Sequence, residues 1–201
     1  MRPANEALVV IDVQNDFCPG GALAVPSGGD VVAGINRLME EFPAVVLTQD
    51  WHPAGHSSFA TSHPGRQPYE TIEMPYGPQV LWPDHCIQGS PGAEFHPSLR
   101  IDADLILRKG FRPGVDSYSA FFENDHRTPT GLGGYLRERG IDTITLVGLA
   151  TDFCVNYSAV DGARLGFGVT VREDLTRAID LQGSLAAARA AWADLGVAVA
   201  R

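Results

Sequence analysis

Ala7-Leu-Val-Val-Ile-Asp-Val13 is the stretch that decides the fold. It is a continuous apolar run of strand length, rich in β-branched residues and without polar alternation. Such a run marks a strand buried on both faces, the habit of parallel sheets covered by helices. Ala44-Val-Val-Leu-Thr48, Asp104 to Leu107, Thr143-Ile-Thr-Leu-Val147, Val169-Thr-Val171 and Val197-Ala-Val199 repeat the theme. Between them lie helical patterns. Val31, Val32, Ile35, Leu38 and Met39 share one face, and Leu181, Leu185, Ala188, Trp192 and Leu195 step by four and three. This alternation predicts an α/β fold: a doubly wound, mostly parallel six-stranded sheet with helices on both faces. The exception is 51–98, rich in Pro, Gly, His and Ser and without periodicity. A loop that long is usually functional or disordered. Its Pro-rich part, 64–78, reads as a lid or as a variable surface loop.

The composition narrows the function classes. The 201 residues suit a single domain, 1–201, with a full core. Net charge is −9 and the basic residues form no run, which argues against nucleic acid as a partner. No stretch approaches the roughly 18 apolar residues of a membrane span. The first strand signal begins within a few residues of the N-terminus, so no signal peptide is expected. Cys18, Cys86 and Cys154 are few, odd in number and widely spaced, a pattern suited to a reducing cytoplasm rather than to a disulfide framework.

In doubly wound sheets chemistry sits at the carboxyl ends of the strands. The first strand ends in Asp12, a carboxylate that is costly to bury unless paired or protonated. The third ends in Lys109, the only lysine in a chain with 15 Lys and Arg together. Arginine serves wherever a bare charge suffices, so a retained amine points to a need for a compact cation. A surface lysine and a turn-capping aspartate are the plain alternatives. The fourth strand turns through Thr151-Asp-Phe153 into Cys154. Thr151 or Asp152 suits an N-cap, which puts Cys154 in a first helical turn, where unpaired N–H groups lower a thiol pKa and hold an oxyanion. Cys18 and Cys86 read as small buried hydrophobes.

The long loop carries a third group. Asp50 and His52 point to one side of an extended chain, and with His85 they could form a two-His, one-carboxylate site for Fe, Mn or Zn. Structural roles remain open for each. His56 is a further ligand, a supporting group or neither; His63, His96 and His126 read as surface residues.

Taken together, Val10-Ile-Asp-Val-Gln-Asn-Asp-Phe17, Thr48-Gln-Asp-Trp-His-Pro53, Trp82-Pro-Asp-His-Cys86, Asp116-Ser-Tyr-Ser-Ala-Phe-Phe122 and Gly148-Leu-Ala-Thr-Asp-Phe-Cys-Val155 resemble the nicotinamidase/pyrazinamidase group of the isochorismatase-like cysteine hydrolases. The matches run in order from residue 8 to about residue 170. The resemblance implies a catalytic triad of Asp12, Lys109 and Cys154. It implies one divalent metal ion (Zn, Fe or Mn) on Asp50, His52 and His85. It also implies a cis Leu149–Ala150 peptide that sets the Ala150 and Cys154 N–H groups as an oxyanion hole. Phe17, Trp82 and Tyr118 would wall a flat ring, although aromatics also pack loop bases routinely. The implied reaction is hydrolysis of nicotinamide to nicotinate and ammonia through a cysteine thioester, in NAD salvage, with pyrazinamide as a second substrate. A homo-oligomer is possible. Two rivals stand beside it: a related cysteine hydrolase acting on a different small amide, and a non-enzymatic binding module on the same scaffold.

Overall fold

The computed structural model describes residues 2–201. Six strands form one sheet: β1 (Glu6–Ile11), β2 (Val45–Asp50), β5 (Leu105–Lys109), β6 (Thr143–Leu149), β7 (Gly168–Arg177) and β8 (Ala198–Ala200). Their order is β5-β2-β1-β6-β7-β8, and every neighbouring pair is parallel. The chain moves outward from β1 in one direction, then returns and builds in the other. The two halves therefore diverge between β1 and β6, the place where doubly wound sheets open a crevice.

Four helices cover the sheet: α1 (Val32–Met39), α2 (Leu132–Glu138), α3 (Asn156–Arg164) and α4 (Ser184–Leu195). The period of two in β1 feeds both faces. Leu8 and Val10 pack with Val32, Ile35 and Leu38 of α1, while Ala7, Val9 and Ile11 pack with Leu132, Leu136, Ala159 and Trp192 on the other side. Gly148 has φ +107° beside β1, where a Cβ would overlap the Ile11 carbonyl, so only glycine lets β6 approach so closely.

The structure departs from the sequence reading in several places. Strand β5 ends at Lys109 as read, but β7 runs ten residues, because ladder pairing with β6 continues past the last apolar residue. Leu195, assigned above to the buried face of α4, is exposed, since that helix ends there and only Ala188 and Trp192 are fully buried. The 51–98 segment is ordered by pairing. It contains an antiparallel hairpin, β3 (Thr71–Met74) and β4 (Gly77–Val80), and is tied down by bridges of His52 to Ile87 and Phe59 to Trp82. The 64–78 stretch thus supplies part of a hairpin. No helix among the described residues is long and apolar enough to cross a membrane.

Candidate active site and metal centre

Asp12 follows β1, and Asp50, Lys109 and Leu149 end β2, β5 and β6, so four consecutive strands of the sheet, β5-β2-β1-β6, deliver their last residues to one edge. Asp12 and Lys109 do not come from adjacent strands; β2 lies between them. They meet because Asp12 leaves β1 in the left-handed region, at φ +46°, a conformation aspartate tolerates better than most residues. Thr48 fixes its orientation: the Thr48 hydroxyl donates to Asp12 Oδ1 at 2.6 Å, and the Asp12 N–H donates back to Thr48 Oγ1 at 3.1 Å.

Lys109 is fully buried. Its Nζ lies 2.7 Å from Asp12 Oδ2, 2.9 Å from Asp50 Oδ1, 2.9 Å from the Ser117 carbonyl and 3.6 Å from Cys154 Sγ. A long apolar stem thus carries one ammonium into a buried centre where four acceptors converge. Burial works against that charge, but Asp12, Asp50 and Cys154 outweigh it and hold the lysine pKa well above its usual value. Burial raises the Asp12 carboxyl despite the opposing Lys109, and the Asp50 charge adds to the rise. Burial also pushes the Cys154 thiol well up, with Lys109 again opposing. Burial thus favours the neutral form of both the thiol and the carboxyl, with Lys109 opposing each.

Cys154 does not sit in an ordinary first α-helical turn. Thr151–Val155 form a π-type turn ahead of α3, entered from extended Ala150. Neither Thr151 nor Asp152 caps it with a side chain. The Asp152 carboxylate instead accepts from the Ile179 and Asp180 N–H groups and the Ser184 hydroxyl, anchoring the chain beyond β7. The Leu149–Ala150 peptide is cis, as the resemblance implied.

Asp50, His52 and His85 converge beside the triad. His52 Nδ1 faces the Gly110 carbonyl at 2.9 Å and His85 Nδ1 faces the Pro83 carbonyl at 2.8 Å, so each Nδ1 carries the hydrogen. Each Nε2 then turns a lone pair toward Asp50 Oδ2, at 3.1 and 3.4 Å. Three acceptors face one another with no donor among them, an arrangement that calls for a cation. Asp50 stabilises positive charge here: it raises the His52 pKa against the opposing burial, and His52 and Lys109 hold Asp50 well down against its own burial. His56 is buried nearby with both ring nitrogens engaged, Nδ1 by the Ser58 N–H and hydroxyl and Nε2 by the Arg112 carbonyl. It supports the site without a free lone pair to offer.

A narrow cleft of about 320 Å³, mouth included, opens onto Cys154. Phe17, Trp82 and Tyr118 line it, as the resemblance implied, and so do Asp50, His85 and Ala150. Sequence reasoning missed Leu23, Asp116, Phe153 and Ile179, which also line it. Asp116 opens a quoted motif and Phe153 precedes the cysteine, so both were within reach; Leu23 and Ile179 carry no signal outside the fold. Trp82 meets Phe153 edge-on at 4.8 Å and donates its indole N–H to the Tyr118 hydroxyl at 2.9 Å.

The isochorismatase domain profile matches residues 6–200. The chain belongs to the isochorismatase family. Within that family it is 53% identical over 197 residues to a nicotinamidase of Acinetobacter baylyi, covering 97% of this chain and 91% of that one. The solved Acinetobacter baumanii nicotinamidase pyrazinamidase superposes with a TM-score of 0.99 at 57% identity, over 100% of this chain and 98% of the other. Pyrazinamidase of Pyrococcus horikoshii in complex with zinc superposes with a TM-score of 0.79 at 32% identity, over 98% and 99%.

Proposed function

We propose that this isochorismatase-family chain is a nicotinamidase that hydrolyses nicotinamide to nicotinate and ammonia and also accepts pyrazinamide. One observation carries the reading: Cys154 Sγ, 3.6 Å from Lys109 Nζ, lines the same cleft as Asp50 and His85. On this reading the flat ring lies against Phe17, Trp82 and Tyr118, with its carboxamide toward the thiol; all three aromatics and Cys154 line the cleft. The names of the relatives support the same substrate class.

Asp12 takes the Cys154 proton, and Lys109 stabilises the resulting negative charge. The thiolate attacks the carboxamide carbon, and the oxyanion rests on the Ala150 and Cys154 N–H groups, each typically worth about 3 kcal/mol of barrier. Asp12 passes the proton to the departing amine, which leaves as ammonia. Water, deprotonated by Asp12, then cleaves the thioester and returns the thiol. One divalent ion, zinc or in its place iron or manganese, would sit on Asp50, His52 and His85, and when bound it supplies an electrophilic contact for the ring nitrogen that orients the substrate. The zinc complex of the Pyrococcus relative and the three facing acceptors support the ion. A single domain over 1–201 and a cytoplasmic setting, in keeping with three free cysteines, complete the proposal.

The test is ammonia release from nicotinamide, with and without prior chelation, beside Cys154→Ala. Release that requires both thiol and metal supports the reading. No release from metal-replete protein overturns it and turns the search to other small amides.

A further inference from the structure

Gln79 is the one fully buried residue of the β3–β4 strands, whose other positions are exposed or half-exposed. An amide is an expensive choice for that place unless all its groups are bonded. Here they are. Its Oε1 accepts from Asn124 Nδ2 and the Tyr76 hydroxyl, both at 3.1 Å, which fixes the amide orientation. Its two Nε2 hydrogens are shared among Asp116 Oδ2 at 2.8 Å, Tyr118 Oη at 2.8 Å and the Val80 carbonyl at 2.7 Å. Asp116 and Tyr118 both line the substrate cleft, and Tyr118 Oη also receives the Trp82 indole hydrogen. Asn124 closes the loop, because its Oδ1 accepts from the Tyr118 N–H at 2.9 Å. One amide from the excursion thus touches two groups of the cleft wall and sits one bond from a third.

We propose that Gln79 is a positioning residue for substrate: by bridging Asp116 and Tyr118 it sets the spacing of the Trp82–Tyr118 wall and governs ring binding rather than bond cleavage. The inference rests on the nicotinamidase reading. Gln79 makes no hydrogen bond to Cys154, Lys109 or Asp12, so those three stay assembled without it, while the Tyr118 phenol keeps only its bond from Trp82 and loses the one from Gln79. A fastening that served the hairpin alone would need no bonds to cleft residues.

The test compares the holoenzyme with Gln79→Met, close in volume but without donors, and with Tyr76→Phe, a milder change at a half-buried residue that removes one bond to Oε1. For nicotinamide, Gln79→Met should raise KM about tenfold with kcat within about twofold, the signature of lost uniform binding. Tyr76→Phe should shift KM in the same direction by less. In a double-mutant cycle, Gln79→Met should add little to Tyr118→Phe, because both remove the same bond. An unchanged KM overturns the proposal, as does full additivity or a loss of kcat that merely follows a fall in folded fraction, read by melting. If Gln79→Met fails to fold, Tyr76→Phe decides by the same KM criterion. Should the wild type itself release no ammonia from nicotinamide, the substrate reading has failed; wild-type turnover with an unmoved KM in the variants sinks the positioning role alone.

Discussion

Asp50 joins Lys109 at 2.9 Å through Oδ1 while its Oδ2 faces His52 and His85 at 3.1 and 3.4 Å. One carboxylate therefore belongs to both halves of the site. The ammonium that steadies Asp12 and Cys154 is held in place by a residue whose other oxygen points to the metal position. One buried side chain thus bonds to Lys109 and faces both histidines at once.

Lys109→Arg tests the lysine half of that arrangement. A forked guanidinium cannot occupy a fully buried position fitted to one nitrogen without displacing Asp12, Asp50 or Cys154. Displacements of about 1 Å at such a centre can cost about 100-fold in rate. We expect kcat/KM for nicotinamide to fall by at least that factor, with metal content retained; near-normal activity would show that the charge alone suffices.

Gly110→Ala tests the metal half. Gly110 has φ +68°, and an added Cβ would come within 2.6 Å of the His52 ring. The same residue's carbonyl accepts from His52 Nδ1, so the ring loses its support as it is pushed aside. Disturbing such a partner typically costs about 10- to 100-fold in metal affinity. Metal titration of the apoprotein would measure it, and unchanged affinity would remove His52 from the ligand set.

Cys154→Ala should abolish turnover yet leave the fold and metal binding in place. The side chain is buried, but only one sulfur is lost, so the expected cost is about 1 kcal/mol, or about 2–4 °C in Tm for a chain of this size. Measurable ammonia release by this variant would exclude the thioester route.

The acid limb of kcat/KM should report Asp12. Burial raises its pKa above 3.8 despite Lys109, so its basic form is lost as pH falls through a value higher than that of an exposed aspartate. The limb should therefore appear above pH 3.8 while circular dichroism still shows a folded protein. A profile flat down to that pH would mean that Asp12 is not the base.

The apolar runs made the sheet legible, because residues 7–11, 44–47 and 143–147 leave a strand buried on both faces as the one economical solution. The lone lysine, the strand-end aspartate and the Asp50–His52 spacing pointed to the chemistry, since unusual residue types at strand ends carry information that no core position does. Gln79, Leu23 and Ile179 stayed invisible. Their roles depend on contacts spanning many residues of sequence, as in the 37-residue separation of Gln79 and Asp116, and no local period encodes such a pairing. The hairpin within 51–98 was hidden for a related reason: four-residue strands that are half-exposed have too little apolar alternation to be read. The sequence by itself determined the six strands of the main sheet, α1, α4 and a helix after Cys154, and which side chains could react; α2 and the hairpin it did not. Tertiary structure alone decided that Asp12 and Lys109 meet across an intervening strand, that Asp50 serves two sites, and that Asp152 anchors a distant loop instead of capping a helix, because each depends on where strand ends lie in space once the core has packed.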